Sequence, residues 1–169
     1  MHLSYIVHAN ASFHTSNNWY FVDFVREIRP SYGPASPYVL SHRLLDAESV
    51  RVWEEETKRL ESRNFLTFLF DGWEDSLKRS LYGSVAAEVK QHPTVLSLDD
   101  LTGKRGNVAT LIETTRRATS TMALSDMKKF IAVTTDNPTT MQAYRRELNK
   151  LFPWLLVCIS AFSQIMYAN

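Results

Sequence analysis

The first helix signal in the chain is a run of apolar residues at helical spacing. Between Asn17 and Ile28 the apolar positions are Trp19, Phe21, Val22, Phe24, Val25 and Ile28. This spacing predicts a helix over 17–28 with a wide buried face. Arg29 precedes Pro30, and a residue before proline avoids helical backbone, so the helix should end there.

A proline-rich connector and two more helices are predicted to follow. Three prolines between Pro30 and Pro37 indicate irregular backbone. One helical stretch should begin near Ser41, and another should run from an N-cap at Asp46 toward Leu60. The first part of the chain, residues 1–62, is therefore predicted to be a helical segment packed on the domain that follows.

Beyond this segment the apolar pattern changes from helical spacing to short continuous runs. Five such runs predict strands at 64–70, 80–89, 93–98, 130–135 and 154–159. Helices are predicted at 108–122 and from Pro138 to about 151, with a last one starting after the fifth strand.

The order of these elements is β-β-β-α-β-α-β-α. Short turns should join the first three strands into an antiparallel meander, and the crossover helix lets the fourth strand lie parallel to the first. The sequence therefore predicts an α/β fold, a ribonuclease H-like mixed sheet over 63–169 preceded by the helical segment.

Charge and cysteine content narrow the class of protein. The chain has 169 residues, with 19 basic and 18 acidic side chains and a formal net charge of +1, which is not the balance of a strongly basic nucleic-acid binder. Cys158 is the one cysteine, which excludes an internal disulfide and a Cys-x-x-Cys zinc site. There is no secretory signal pattern and no apolar run long enough to cross a membrane. These features predict a nuclear or cytoplasmic protein without membrane contact.

Two predicted strands end in an aspartate, Asp71 before Gly72 and Asp136 before Asn137-Pro138. If the first and fourth strands are parallel neighbours, both carboxylates emerge at the same edge of the sheet. With a third acid, such a pair can hold two Mg²⁺ ions for phosphodiester chemistry. The alternatives are structural, because Asp-Gly is a common turn pair and Asp136 stands where a helix N-cap is expected.

Four segments in register resemble the ribonuclease H-like domain of hAT-family transposases. They are the proline-rich run Arg29–Asp46, Asp71-Gly-Trp-Glu-Asp75, Leu98-Asp-Asp-Leu-Thr-Gly103 and Val133-Thr-Thr-Asp-Asn137. The second is similar to the family's Asp-Gly-Trp-Thr-Asp, and the fourth to its Val-Thr-Asp-Asn-Ala. Together the resemblance spans about 17–161, nearly the whole chain.

The resemblance implies a role for several residues. Asp71 and Asp136 correspond to the first two acids of the family's Asp-Asp-Glu catalytic set, which uses Mg²⁺ or Mn²⁺ in DNA cleavage and strand transfer. DNA is then the expected partner. From the residues themselves, Trp73 is a candidate for stacking on a DNA base, with packing against the turn as its alternative, and the pair Lys104-Arg105 is a candidate for phosphate contacts, with a solvated surface as its alternative. Self-association or a longer transposase is the expected protein contact.

The sequence also departs from the family pattern. Phe162 stands where the family has a histidine, Cys158 is displaced by one position, and Pro138 replaces an alanine. The family's third acid, a glutamate, lies beyond a long helical insertion, and this sequence stops at Asn169 before reaching it. The expectation is a truncated or domesticated element that is inactive as this isolated chain.

Two other functions stay open at this point. One is a non-catalytic module that keeps the fold and contacts protein or DNA. The other is a free-standing nuclease whose third acid is one of Asp75, Glu88, Asp99 and Asp100.

Overall fold

The computed structural model describes residues 2–104, 107–122, 124, 127–136 and 138–159. The chain divides into two compact units, residues 1–55 and 56–169. The division falls inside a helix, some residues before the boundary at 62 that the sequence suggested.

The N-terminal unit is helical. Its elements are α1 (His2–His8), a 3-10 helix (Phe13–Asn17), α2 (Trp19–Ile28), α3 (Pro37–Val39), a π-helical segment (Leu40–Leu44) and the first part of α4 (Leu45–Glu61). The side chain of Asn18 caps α2, since its Oδ1 accepts hydrogen bonds from the backbone N–H groups of Tyr20 at 3.0 Å and Phe21 at 3.3 Å.

The predicted wide buried face of α2 is wrong. No residue of the helix is buried, and its most exposed apolar side chains are Trp19, Tyr20, Phe24 and Ile28. Phe21, Val22 and Val25 of the same helix are half-buried. A unit of this size has little interior in which to bury a wide face.

The predicted N-cap at Asp46 is also wrong, because the helix begins earlier. The backbone is helical without a break from Pro37 to Glu61. Ser36 is the N-cap, its hydroxyl accepting a hydrogen bond from the Val39 N–H at 3.3 Å, and Pro37 takes the first helical position.

The C-terminal unit contains a five-stranded mixed sheet with two helices. Its elements, after the end of α4, are β1 (Leu66–Glu74), β2 (Ser80–Ala87), β3 (Thr94–Asp100), α5 (Val108–Ser120), β4 (Phe130–Thr135), α6 (Thr139–Leu151) and β5 (Leu156–Ile159). The strand order is β3-β2-β1-β4-β5. The β1–β2 and β2–β3 pairs are antiparallel, whereas β1–β4 and β4–β5 are parallel. The predicted α/β class, the meander and the parallel pairing of β1 with β4 are confirmed; the predicted last helix lies outside the described residues.

One face of the sheet forms the core with α5 and α6. From β1 it receives the side chains of Leu66, Phe68 and Phe70, each at most 1% exposed. The Phe70 ring lies 5.2 Å from that of Tyr144 on α6, centroid to centroid. The Tyr144 hydroxyl donates to Thr115 Oγ1 on α5 at 2.6 Å, while the Thr115 hydroxyl donates to the Leu111 carbonyl. The two helices are thus joined by a buried polar contact within an apolar layer.

Both ends of β1 differ from the prediction. The strand begins at Leu66 rather than Asn64, because Phe65 has a left-handed φ of 64°. It does not stop at Asp71-Gly72 but continues to Glu74, which pairs with Ser80 of β2. Only the parallel partner ends early, at the pair Phe70 and Thr135.

The turn between β1 and β2 is organised by Asp75. Its Oδ1 accepts hydrogen bonds from the backbone N–H groups of Leu77 and Arg79, each at 2.9 Å, and its Oδ2 accepts from the Arg79 guanidinium at 2.7 Å. These bonds hold the pKa of Asp75 below its ordinary value. The turn therefore lies beyond Asp75, not at Asp71.

Candidate metal site

Asp71 and Asp136 follow the last paired residues of two adjacent parallel strands. Phe70 on β1 is in register with Thr135 on β4, and each aspartate is the next residue of its strand or strand end. The two carboxyl groups are near enough that the charge of Asp71 raises the pKa of Asp136. The structure thus brings the two predicted residues together at the carboxyl edge of the sheet.

The Asp136 carboxyl group is half-buried and has an unpaired oxygen. Its Oδ1 is buried and has no hydrogen-bond partner among the described residues. Burial is the largest cause of the raised pKa of Asp136; the charge of Arg145 opposes it. A buried carboxylate oxygen without a partner is costly, so it calls for a proton, a water molecule or a cation as its partner.

The structural alternative for Asp136, that it caps the following helix, is not supported. The N-cap of α6 is Pro138, and no side chain caps that helix end. Asp71 is exposed, and its Oδ1 accepts a hydrogen bond from the backbone N–H of the next residue, Gly72, at 3.0 Å. A turn role for Asp71-Gly72 is excluded as well, because both residues lie within β1.

The reason for a glycine at position 72 is the ring of Tyr82 on β2. A Cβ atom at Gly72 would lie 2.5 Å from Tyr82 Cε1 and 2.9 Å from its Cδ1. The ring also stacks on Phe70, with centroids 5.6 Å apart. Burial and, to a smaller extent, the charge of Asp136 raise the pKa of Tyr82. Tyr82 was not predicted from sequence; the signal that points to it is a glycine inside a strand.

Arg145 on α6 is the second residue that the sequence did not single out. Its Nη1 donates to Thr135 Oγ1 at 2.7 Å and to the backbone carbonyl of Asp136 at 2.6 Å, and the residue is 8% exposed. The available signal is its position among the buried residues Met141, Tyr144 and Leu148 of the same helix. A charged residue on an apolar stripe requires a partner in the interior.

The other acids considered as a third ligand are engaged elsewhere. Asp75 is paired with Arg79, Asp99 with Arg117, and Glu88 with Arg63, while Asp100 accepts from the Thr102 N–H. Within the part of the chain that the structure describes, no group of three or more His, Cys, Asp or Glu side chains is arranged to hold a metal ion. The described site therefore consists of two carboxylates, which suit a hard cation such as Mg²⁺ or Mn²⁺.

Of the three predicted nucleic-acid contacts, Trp73 and Lys104 lie among the described residues. The Trp73 indole packs across the sheet on Gly83, where a Cβ would lie 3.2 Å from its Cζ3, so a packing role is supported. The indole is still 46% exposed. Lys104 has an exposed side chain, and Arg105 lies outside the described residues.

Among the described residues, no helix is both long and apolar enough to span a membrane. No model of a known protein family matches the chain, and no curated protein matches it either.

Proposed function

We propose that the chain is a ribonuclease H-like domain derived from a hAT-family transposase, and that Asp71 and Asp136 bind Mg²⁺ or Mn²⁺. The single observation that carries the metal site is the buried Oδ1 of Asp136, which has no hydrogen-bond partner in the part of the chain that the structure describes and belongs to a residue beside Asp71. Two features support the ribonuclease H-like part of this proposal: the strand order β3-β2-β1-β4-β5 and the position of both aspartates after the last paired residues of adjacent parallel strands. The family part rests on the four similar sequence segments. DNA is the proposed substrate class.

Each residue of the site has a distinct task in this proposal. Asp136 supplies the buried oxygen that a cation would complete, and Asp71 supplies a second, solvent-facing carboxylate. The Tyr82 ring packs over Gly72, the residue that follows Asp71 in β1. A bound divalent ion would polarise a phosphoryl oxygen or lower the pKa of a water molecule.

Two carboxylates define one cation position rather than two. Two-metal phosphoryl transfer requires further oxygen ligands to fix the second ion. The described acids near this edge do not provide them, since they are paired elsewhere. In this proposal the chain binds and positions a metal, and the remaining acid comes from outside the described residues.

The test is thermal stability with and without metal. Millimolar Mn²⁺ should raise the Tm of the parent chain by several degrees, because a ligand present at ~100 times its Kd adds about 2.7 kcal/mol to the stability of the native state. Asp71→Asn should remove most of this shift. Asp23→Asn is the matched control, since it makes the same change at an exposed position on α2. A parent Tm that does not respond to Mn²⁺ would exclude the metal site.

A second candidate function is a non-catalytic module that binds another protein. It is favoured by exposed apolar side chains on the edge strands, where Val95 and Leu98 of β3 are 63% and 61% exposed and Leu156 of β5 is 67% exposed. This function needs no metal, so an absent Mn²⁺ response combined with self-association or capture of a partner would favour it.

A further inference from the structure

The site contains a fixed positive charge as well as two carboxylates. Arg145 is 8% exposed, and its guanidinium lies 2.6 Å from the backbone carbonyl oxygen of Asp136 itself. A guanidinium does not lose its proton in a protein, so the charge is permanent. Asp71, Asp136 and Arg145 together carry a formal charge of −1 when both acids are ionised.

This charge is built into the fold rather than held at its surface. Arg145 extends from the buried stripe of α6, and its Nη1 is shared by two acceptors at the end of β4, Thr135 Oγ1 and the Asp136 carbonyl. The Thr135 hydroxyl in turn donates to the same carbonyl at 2.8 Å. The guanidinium therefore cannot move away from Asp136 without breaking buried hydrogen bonds.

We propose that Arg145 is the internal counter-cation of the Asp71–Asp136 pair, so that it takes part of the role of a metal and lowers the affinity of the site for divalent ions. The proposal rests on the proposed metal site and adds its regulation. Asp71 and Arg145 are the two charged groups of the described residues that act on the Asp136 carboxyl group, and Arg145 is the positive one. The charge of Arg145 stabilises the two carboxylates in the metal-free protein. The same charge repels a divalent cation that binds to them.

The size of the effect follows from Coulomb's law. A unit positive charge about 6 Å from a divalent ion weakens binding by roughly tenfold at the dielectric constant of water, and by more where water is excluded. Removing the charge while keeping a hydrogen-bond donor should therefore tighten metal binding. A residue with a merely structural role would leave the affinity unchanged or reduce it when replaced.

The experiment compares Arg145→Gln, Arg145→Lys and Arg146→Gln with the parent chain, measuring Tm without metal and Mn²⁺ affinity by titration. Arg145→Gln should have a lower Tm without metal and bind Mn²⁺ roughly tenfold more tightly than the parent. Arg145→Lys keeps the charge and should bind within about threefold of the parent. Arg146→Gln is the matched control, because it removes the same charge at the exposed neighbouring position of α6.

The outcomes separate this inference from the proposed function. Unchanged or weaker Mn²⁺ binding by Arg145→Gln, or weaker binding by Arg145→Lys, would overturn the counter-cation role even if the parent binds Mn²⁺. If the Arg145→Gln variant binds Mn²⁺ and the parent chain does not, the counter-cation role is supported. The same result would contradict the proposal that the parent chain binds a metal. If Arg145→Gln is unfolded without metal, millimolar Mn²⁺ should restore its structure, and failure to do so would contradict the proposal.

Discussion

At the scale of single residues, the glycine at position 72 has a structural role that differs from the one its sequence context predicts. The pair Asp71-Gly72 predicts a turn, whereas the structure places both residues inside β1. The glycine is needed because the ring of Tyr82 occupies the position of a side chain there. That contact depends on the register of β1 with β2, which a glycine in one strand does not specify.

Gly72→Ala should therefore destabilise the protein by about 1–3 kcal/mol, the usual cost of overpacking. The measurement is urea unfolding of the variant and the parent. In a Tyr82→Ala background the same change should cost much less, because the ring that it meets is gone. Gly33→Ala is the control: a Cβ there meets nothing within 4 Å, so its effect should stay within about 0.5–1 kcal/mol. Equal costs of Gly72→Ala in both backgrounds would contradict this account.

The residues of the candidate site were only partly predictable for a related reason. Asp71 and Asp136 follow apolar runs, and the element order alone suggests that their strands are parallel neighbours. Tyr82 and Arg145 approach Asp136 from a different strand and from a helix. Their proximity depends on pairing register and on which way a helix faces the sheet, and neither is encoded in local sequence pattern.

At the scale of elements, the best predictions are those where a short apolar run has sharp polar limits. The bounds of β4 agree with the prediction of 130–135 because Lys129 and Asp136 enclose the run. The end of β1 was missed because the antiparallel pairing with β2 extends four residues, Asp71 to Glu74, farther than the parallel pairing with β4. The exposure of α2 was missed because spacing reports a helix but not what lies against it.

The packing of α5 on α6 offers a prediction at this scale. Tyr144→Phe removes the hydroxyl that donates to Thr115 Oγ1 in the core, so it should lower the free energy of unfolding by about 1 kcal/mol, the net value of a typical hydrogen bond. Tyr20→Phe is the control, since its phenol is on a side chain that is 79% exposed. In a Thr115→Val background, Tyr144→Phe should be close to neutral or stabilising. A loss of the same size in both backgrounds would mean that the hydrogen bond contributes nothing.

At the scale of the whole molecule, the order of elements predicts the topology of the sheet well. Short connections impose the antiparallel meander, and a helical crossover imposes a parallel pair. The order of elements predicts function less well. Two acids lie together in the described residues, but the acids considered as a third metal ligand are paired with arginines or backbone groups, which the order of elements does not reveal.

The two-acid site leads to a negative prediction about activity. The purified chain should not nick supercoiled plasmid in the presence of Mn²⁺ above the level of an Asp71→Ala, Asp136→Ala double variant. The physical reason is that an in-line displacement needs both metal ions fixed in place, and two carboxylates hold only one. Nicking by the parent that disappears in the double variant would contradict this and favour a free-standing nuclease.

The parallel pairing of β1 with β4 also has a consequence for how the chain folds. β1 can pair with β2 as soon as both strands of the hairpin are synthesised. Its pairing with β4 forms later, because Leu66 pairs with Phe130, which is far along the sequence. Such non-local contacts are slow to form because a long loop must close first. During synthesis the backbone groups on one edge of β1 therefore stay unpaired until β4 has left the ribosome. The apolar side chains of Phe68 and Phe70 on this strand stay without their helix partners for the same time. We expect this edge to be the place where chaperones bind the nascent chain and where aggregation starts.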